Sequence, residues 1–267
     1  MKRRAFLQSS LALAGGGAVI SSLTATADET GAAQRQFYEL RLYHLRRGPQ
    51  MDLFDKFYRD AALPALNRAG ISQVGVFSVM VGPDSPTMYV LLTHPSLESL
   101  TTTPAHLDAD AEYQKAGAEF INAPAVNPSY MRVDSSLMVA FEGMPKLEAP
   151  SFPGGGKSRL FELRTYESHS RKAHQKKVEM FNRGEISIFR RTGLTPVFFG
   201  QTLIGSRLPN LTYMLGFENA EARDKGWSAF GGDAEWQKLR ATPGYTDAEI
   251  VSDISNLLLR PTAYSQI

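Results

Sequence analysis

The sequence predicts an α+β fold in which two tandem ferredoxin-like β-α-β-β-α-β repeats form one pseudo-dimeric α+β barrel. The main observation is an internal duplication. Three segments recur at an offset of 123 residues: Glu39-Leu40-Arg41-Leu42-Tyr43 as Glu162-Leu163-Arg164-Thr165-Tyr166, Asp110-Ala111-Glu112-Tyr113 as Asp233-Ala234-Glu235-Trp236, and Gly70 as Gly193. A shared offset at three separate points indicates two copies of a small domain of roughly 110 residues.

Repeat 1, residues 37–143, begins with a strand. Residues 37–43 alternate with period two, with the leucines on one face and Glu39, Arg41 and Tyr43 on the other. Residues 52–69 have helical spacing, which Pro64 is expected to kink or interrupt and Gly70 to end. The remaining predicted elements of this repeat are strands at 74–81, 88–93 and 137–141 and a helix at 108–121.

Repeat 2, residues 159–260, shows the same order of elements. Its predicted elements are strands at 160–166, 197–204, 211–217 and 255–259 and helices at 173–192 and 233–240. The Pro- and Gly-rich residues 144–158 are predicted to link the repeats, and residues 261–267 to form a C-terminal tail. Each four-stranded sheet would carry helices on one face only. The two bare faces are therefore expected to pack together as a barrel or a sandwich.

The first 27 residues resemble a signal peptide of the twin-arginine type. Arg3 and Arg4 precede Phe6 and Leu7, a weakly apolar, glycine-broken core follows, and Ala25-Thr26-Ala27 has the small-x-small pattern of a cleavage site. An ordinary secretory signal or an uncleaved anchor is the alternative. Export to the periplasm or the cell exterior is therefore expected, with residues 28–36 as a flexible leader. The apolar core is too short and too interrupted for a permanent membrane span.

Composition excludes several classes of protein. Without Lys2, Arg3 and Arg4, the 29 basic residues fall to 26 against 27 acidic residues, a net charge of −1. This balance argues against nucleic-acid binding, which needs a clustered basic surface. The chain has no cysteine, which rules out disulfides, thiolate metal sites and a cysteine nucleophile. No metal site is predicted, and the internal duplication makes a monomer the default expectation.

Both repeats resemble the NIPSNAP family. The resemblance rests on Tyr38-Glu39-Leu40-Arg41-Leu42-Tyr43, on Leu63-Pro64-Ala65-Leu66, on the hairpin strands after Gly70, and on Phe161-Glu162-Leu163-Arg164-Thr165-Tyr166. It implies a fold similar to dimeric α+β barrel proteins, which include small monooxygenases, haem-dependent enzymes and proteins without a known reaction. It implies no established catalytic residues. Repeat 2 departs from repeat 1 by having Ser187 where Pro64 stands, so the copies need not share one function.

The Glu-x-Arg-x-Tyr faces are the candidate ligand site. If the leucines of these strands pack beneath the helices, the two trios point into the space between the sheets. The members of the site would be Glu39, Arg41, Tyr43, Glu162, Arg164 and Tyr166. A pseudo-symmetric ion-pair network that fixes strand register is the first interpretation, because buried charges must be paired. The second is a cavity in which an arginine holds an anionic group.

Three functions are compatible with these features. The first is a module that binds a small molecule or a protein. The second is a cavity-based enzyme, of a monooxygenase or isomerase kind, and the third is a haem-binding enzyme. No cofactor is predicted for the first two. For haem, His44 and His94 are the candidate ligands, because both stand at strand ends where they could reach a cavity mouth.

Overall fold

Eight antiparallel strands close into one barrel. The computed structural model describes residues 34–81, 85–152 and 159–267, so the signal segment with Arg3, Arg4, Phe6, Leu7, Ala25 and Ala27 lies outside the described residues. The strands are β1 Phe37–His44, β2 Val74–Val81, β3 Thr87–His94, β4 Arg132–Ala140, β5 Leu160–Glu167, β6 Thr195–Ile204, β7 Asn210–Phe217 and β8 Asp253–Pro261. The predicted α+β fold of two β-α-β-β-α-β repeats is confirmed.

The two repeats close the barrel by pairing with each other. Within a repeat, β1 lies between β3 and β4, and β5 lies between β7 and β8. Strand β2 of repeat 1 pairs with β8 of repeat 2, and β4 pairs with β6, so every strand has two neighbours. Closure removes the unpaired edges that an open four-stranded sheet would expose.

The helices cover the outside of the barrel in two layers. Repeat 1 contributes α1 Pro49–Phe57, α2 Leu63–Arg68, α3 Leu97–Ala109, α4 Ala111–Ala116 and α5 Ala118–Ile121, and repeat 2 contributes α6 Arg171–Met180, α7 Ile186–Arg191, α8 Ala220–Gly232, α9 Ala234–Arg240 and α10 Asp247–Ile250. Each layer packs its apolar side against its own sheet, and a third apolar cluster fills the barrel interior. No helix in the described ranges has the length and apolar content needed to cross a bilayer.

The α-helical pattern of the first helix is interrupted directly before Pro64, but the proline is not needed for the interruption. A π-helical turn, Tyr58–Ala62, joins α1 to α2, and Pro64 stands in the first turn of α2, where a missing N–H is tolerated. The same π turn occurs at Phe181–Glu185 in repeat 2, which has no proline there. The turn therefore belongs to the duplicated fold and does not depend on the proline. Gly70 and Gly193 end these helices with φ of 89° and 86°.

Parts of the predicted linker and tail pack on the barrel. Met144 and Leu147 are buried, and the N–H of Glu148 donates to the carbonyl of Val197 at 3.0 Å. At the C-terminus, the N–H of Gln266 donates to the carbonyl of Val74, and Ile267 is buried in the interior cluster. These contacts extend both segments along the sheet. Linker residues 153–158 lie outside the described ranges.

Candidate functional site

The two Glu-x-Arg-x-Tyr trios lie outside the barrel wall, each beneath the helices of its own repeat. Tyr43 and Tyr166 pack in the two helical layers, whereas Leu40 and Leu163 point into the barrel. The leucines therefore do not pack beneath the helices, and the two trios do not share the space between the sheets. Strand alternation puts neighbours on opposite faces, and the apolar barrel interior takes the leucines. The barrel wall separates Glu39, Arg41 and Tyr43 from Glu162, Arg164 and Tyr166.

In repeat 1 the trio contains a bidentate ion pair. Arg41 donates from Nε to Oε1 of Glu39 at 2.7 Å and from Nη2 to Oε2 at 2.8 Å. Ser135 donates to the same carboxylate at 2.9 Å, and Nε2 of the buried His94 lies 3.7 Å from it. Burial acts to raise the pKa of Glu39, but the contacts from His94, Arg41 and Ser135 outweigh it and lower the pKa to about 2. Glu39 is thus a carboxylate that stays charged and orients Arg41.

A cavity of 250 Å³ adjoins this ion pair, between the strands and the helices of repeat 1. Arg41 and Tyr43 both line it, so two of the predicted site residues reach open space. The other walls are mostly aromatic and include Phe57, Tyr58, Leu107, Tyr113, Phe120 and Tyr130. We call it the helix-layer cavity.

In repeat 2 the trio forms a dense network of ion pairs and hydrogen bonds. Glu162 has 0% of its side chain exposed and accepts from Nη1 of Arg164 at 2.7 Å, from Nε of Arg223 at 2.7 Å and from the indole of Trp227 at 2.9 Å. The Arg164 guanidinium lies 4.7 Å from the centre of the Trp227 ring and donates to the Tyr166 hydroxyl at 3.3 Å. Most of these donors and acceptors satisfy one another, although Nε of Arg164 is buried without a hydrogen-bond partner in the described residues. The arrangement agrees with the first interpretation, a network of paired buried charges.

A larger cavity of 410 Å³ occupies one end of the barrel interior. The inward side chains change from apolar to polar toward the same end of the barrel on β1, β4, β5 and β8. The inward series are Leu40, Leu42, His44 on β1; Met138, Ser136, Asp134, Arg132 on β4; Leu163, Thr165 on β5; and Leu257, Ser255 on β8. The result is a barrel cavity with an apolar inner end and a polar mouth.

The mouth holds a histidine–carboxylate pair and two arginines. His44 Nε2 lies 2.8 Å from Oδ2 of Asp134, and its Nδ1 lies 3.3 Å from the hydroxyl of Thr87. Arg132 and Arg207 also line the cavity. The backbone of Arg207 has φ of 57°, a left-handed conformation that is uncommon for a side-chain-bearing residue and is concentrated at functional sites.

Haem does not fit the histidines of this structure. His94 is fully buried beside Glu39 and lines neither of the two cavities. His44 reaches the barrel cavity, but both of its ring nitrogens already have partners. Within the described ranges, no cluster of three or more His, Asp or Glu side chains has the geometry of a metal site.

Sequence reasoning missed the barrel cavity as a site. The sequence does contain a signal for it, the change from apolar to polar side chains along the inward faces of the strands. Period-two alternation shows this change once it is known which face points inward. The pairing of β4 with β6 and of β2 with β8 carries no comparable signal, because it joins strands of different repeats. His44 was the one mouth residue that the sequence analysis identified.

Comparison with solved structures shows the same fold in other proteins. A candidate monooxygenase from Lactobacillus acidophilus is 8% identical, with a TM-score of 0.55 over 85% of this chain and 94% of that one. A candidate monooxygenase from Fusobacterium nucleatum subsp. nucleatum is 8% identical, with a TM-score of 0.54 over 86% of this chain and 93% of that one. At this identity the likeness shows the fold alone. No curated protein matches the chain.

Other similar structures cover a smaller part of the chain. A NIPSNAP-like domain protein from Burkholderia xenovorans is 22% identical over 40% of this chain and 88% of its own, with a TM-score of 0.36. The sequence model of the NIPSNAP family matches residues 38–129 and 161–266, one match in each repeat. The two matches cover more than half of the chain and confirm the resemblance seen in the strand and helix motifs, so the chain belongs to the NIPSNAP family.

Proposed function

We propose that the barrel cavity binds a small amphipathic molecule, with its apolar body inside and its hydrogen-bonding head group at the mouth. The main support for this proposal is the change of the inward side chains from apolar at the inner end to polar at the mouth. The volume of 410 Å³ lies within the range of about 300–1,000 Å³ that is usual for small-molecule sites. The walls are apolar only at the inner end, and the polar side chains around the mouth provide several hydrogen-bonding groups for a head group.

The head group is expected to contact side chains from both repeats. His44, Asp134 and Arg132 come from repeat 1, while Arg207 and Ser255 come from repeat 2. Arg207 donates to Ser255 at 3.0 Å and lies 3.3 Å from Glu167, and Arg132 lies 3.4 Å from Asp134. Because both arginines already have polar partners, they offer directed hydrogen bonds and little net positive charge. Recognition of a head group by hydrogen bonds is therefore favoured over recognition by charge alone.

Filling the cavity is expected to weaken binding. Octanol and octanoate titrated by calorimetry should bind saturably to the wild-type protein, and Leu42→Phe should weaken binding at least tenfold, because added bulk displaces the ligand chain. Leu203→Phe, an exposed leucine of β6 that does not line the cavity, is the matched control and should bind as wild type does. Equal affinity in wild type and Leu42→Phe, or no saturable binding of either probe, would contradict the proposal.

Proton-transfer catalysis is the second candidate function, and the His44–Asp134 pair favours it. An imidazole oriented by a carboxylate can take a proton from a bound molecule and return it elsewhere, which is the chemistry of an isomerase. Incubation with 2-octanone in ²H₂O distinguishes the two functions, because the hydrogens next to its carbonyl are acidic enough for an imidazole base to remove, unlike the carbon-bound hydrogens of octanol and octanoate. Ketone recovered with no more deuterium than a protein-free control supports binding alone, and deuterium incorporation that His44→Gln abolishes would indicate catalysis.

We further propose that residues 1–27 direct the protein through the twin-arginine route. The support is the order of Arg3-Arg4, Phe6-Leu7 and Ala25-Thr26-Ala27. In the native host, changing both arginines to lysine should retain the full-length chain in the cytoplasm, as measured by fractionation and immunoblotting. Lys2→Arg is the control and should be exported normally. Continued export of the Lys–Lys variant would exclude this route.

A further inference from the structure

The helix-layer cavity of repeat 1 presents an arginine with unused donors. Two N–H groups of Arg41 are held by Glu39, at Nε and Nη2. Within the described residues, Nη1 has no hydrogen-bond partner, and 22% of the side chain is exposed. A guanidinium whose orientation is fixed by a carboxylate on one side can bind a second planar anion on the other. Arg41 therefore faces open space in a preorganised position.

At the duplicate position in repeat 2, larger side chains stand where the cavity wall stands in repeat 1. At offset 123, Ala62, Leu66 and Leu107 of the cavity wall correspond to Glu185, Phe189 and Phe230, all of which are larger. These larger residues are buried in the helical layer of repeat 2.

The arginine of repeat 2 is also covered. Trp227 lies over Arg164 with 4.7 Å between guanidinium and ring centre, whereas the corresponding residue of repeat 1 is Pro104. The Phe230 ring packs 4.3 Å from that of Trp236. Repeat 1 thus combines the same arginine with smaller surrounding side chains, which leaves the cavity in front of Arg41.

The walls around Arg41 define the chemical class of the ligand. Phe57 and Phe120 stack with ring centres 4.0 Å apart, and Tyr58, Tyr113 and Tyr130 complete an aromatic lining. Burial raises the pKa of Tyr58 well above its ordinary value, so its hydroxyl is a neutral donor. Ile121 and Tyr130 are partly exposed, which opens the cavity to solvent. Aromatic walls favour a flat ring, and the guanidinium favours a carboxylate.

We infer that the helix-layer cavity of repeat 1 is a second ligand site that binds a compact aromatic carboxylate, with the carboxylate on Arg41 and the ring between the aromatic walls. None of its lining residues lines the barrel cavity. The site is therefore independent of the function proposed for the barrel. In repeat 2 larger side chains take the place of the cavity wall, and the ring of Trp227 lies over Arg164.

The test copies the residues of repeat 2 into repeat 1. Titration of 2-naphthoate should show saturable binding to the wild-type protein, and 2-naphthalenemethanol, the neutral analogue, should bind at least tenfold more weakly. Leu107→Phe, which introduces the residue found at Phe230, should weaken naphthoate binding at least tenfold. Leu97→Phe is the matched control, because this leucine is an exposed residue of the same helix that does not line the cavity.

Two further variants keep the result interpretable. Ala62→Leu fills the cavity from the π-helical turn between α1 and α2, and it should weaken naphthoate binding as Leu107→Phe does. Thermal melting checks that each variant is folded. Leu42→Phe, which blocks the barrel cavity, should leave naphthoate binding unchanged. Undiminished binding in both filled variants, equal affinity for the neutral analogue, or no saturable binding of naphthoate would overturn the inference.

Discussion

Replacing Glu162 with alanine is expected to lower the free energy of unfolding by about 3–5 kcal/mol, the usual cost of removing one partner from a buried ion pair. Arg164, with 15% of its side chain exposed, would lose its charge partner, and Arg223 and the indole of Trp227 would lose their acceptor. Chemical denaturation measures the change. Glu142→Ala, at an exposed position, is the control and should leave stability unchanged. A loss below about 1 kcal/mol would contradict the structural role of the network.

The same residue predicts a pH dependence of stability. Burial acts to raise the pKa of Glu162, but the contacts from Arg223, Trp227 and Arg164 outweigh it and lower the pKa. A carboxyl with a lowered folded-state pKa contributes stability that is present above its ordinary value and is lost as the pH falls through the folded pKa. The stability difference between wild type and Glu162→Gln should therefore be largest near neutral pH and shrink on acidification. A difference that grows on acidification would exclude this linkage.

Removing one member of the Lys177–Glu185 pair is expected to lower the free energy of unfolding as much as Glu162→Ala does. Removing both members is expected to lower it much less. Lys177 and Glu185 have 1% and 2% of their side chains exposed, with Nζ and Oε2 3.3 Å apart. Glu185→Ala should lower the free energy of unfolding by about 3–5 kcal/mol, because it leaves the buried ammonium with only the longer contact of 3.8 Å to the half-exposed Asp247. Repeat 1 has Phe54 and Ala62 at these two positions. The double variant Lys177→Phe, Glu185→Ala, which reproduces that pair, should recover most of the loss.

A double-mutant cycle separates the pair from its surroundings. Chemical denaturation gives the change in the free energy of unfolding for each variant. The coupling energy is the change for the double variant minus the sum of the changes for the two single variants. Glu119→Ala breaks the exposed pair with Lys56 and serves as the control, with little expected change. If the double variant loses as much free energy of unfolding as the two single variants lose together, Lys177 and Glu185 do not act as a pair.

The repeat and its elements were predictable because local patterns encode them. The period-two strand at residues 37–43 and the helix ends at Gly70 and Gly193 are confirmed within a residue or two. Helices α3 and α8 were missed because their sequences contain poor helix formers, including Thr101-Thr102-Thr103-Pro104 in α3. The hydroxyls of Thr101 and Thr103 bond back to carbonyls within the helix, and Ser96 caps its start.

The orientation of the candidate site could not be read from alternation alone. Period two separates Glu39 from Leu40, but it does not tell which face meets the helices. That choice depends on whether the barrel interior or the helical layer gives each charge a partner. In repeat 2 the partners of Glu162 include Arg223 and Trp227, more than 60 residues away in sequence. The difference in side-chain size around Arg41 and Arg164 was visible in the aligned repeats, but its meaning required the position of the cavity.

Closure of the barrel by pairing between repeats has a consequence for synthesis. Strand β2 pairs with β8 and β4 pairs with β6, and both partners are synthesised later as parts of repeat 2. Repeat 1 therefore leaves the ribosome with two unpaired sheet edges. Unpaired edges are sites of intermolecular pairing, and pairings between distant segments form slowly. The nascent chain therefore passes through an interval in which aggregation competes with folding. That interval ends only when β8, the last of the eight strands to be made, can pair with β2 and complete the barrel.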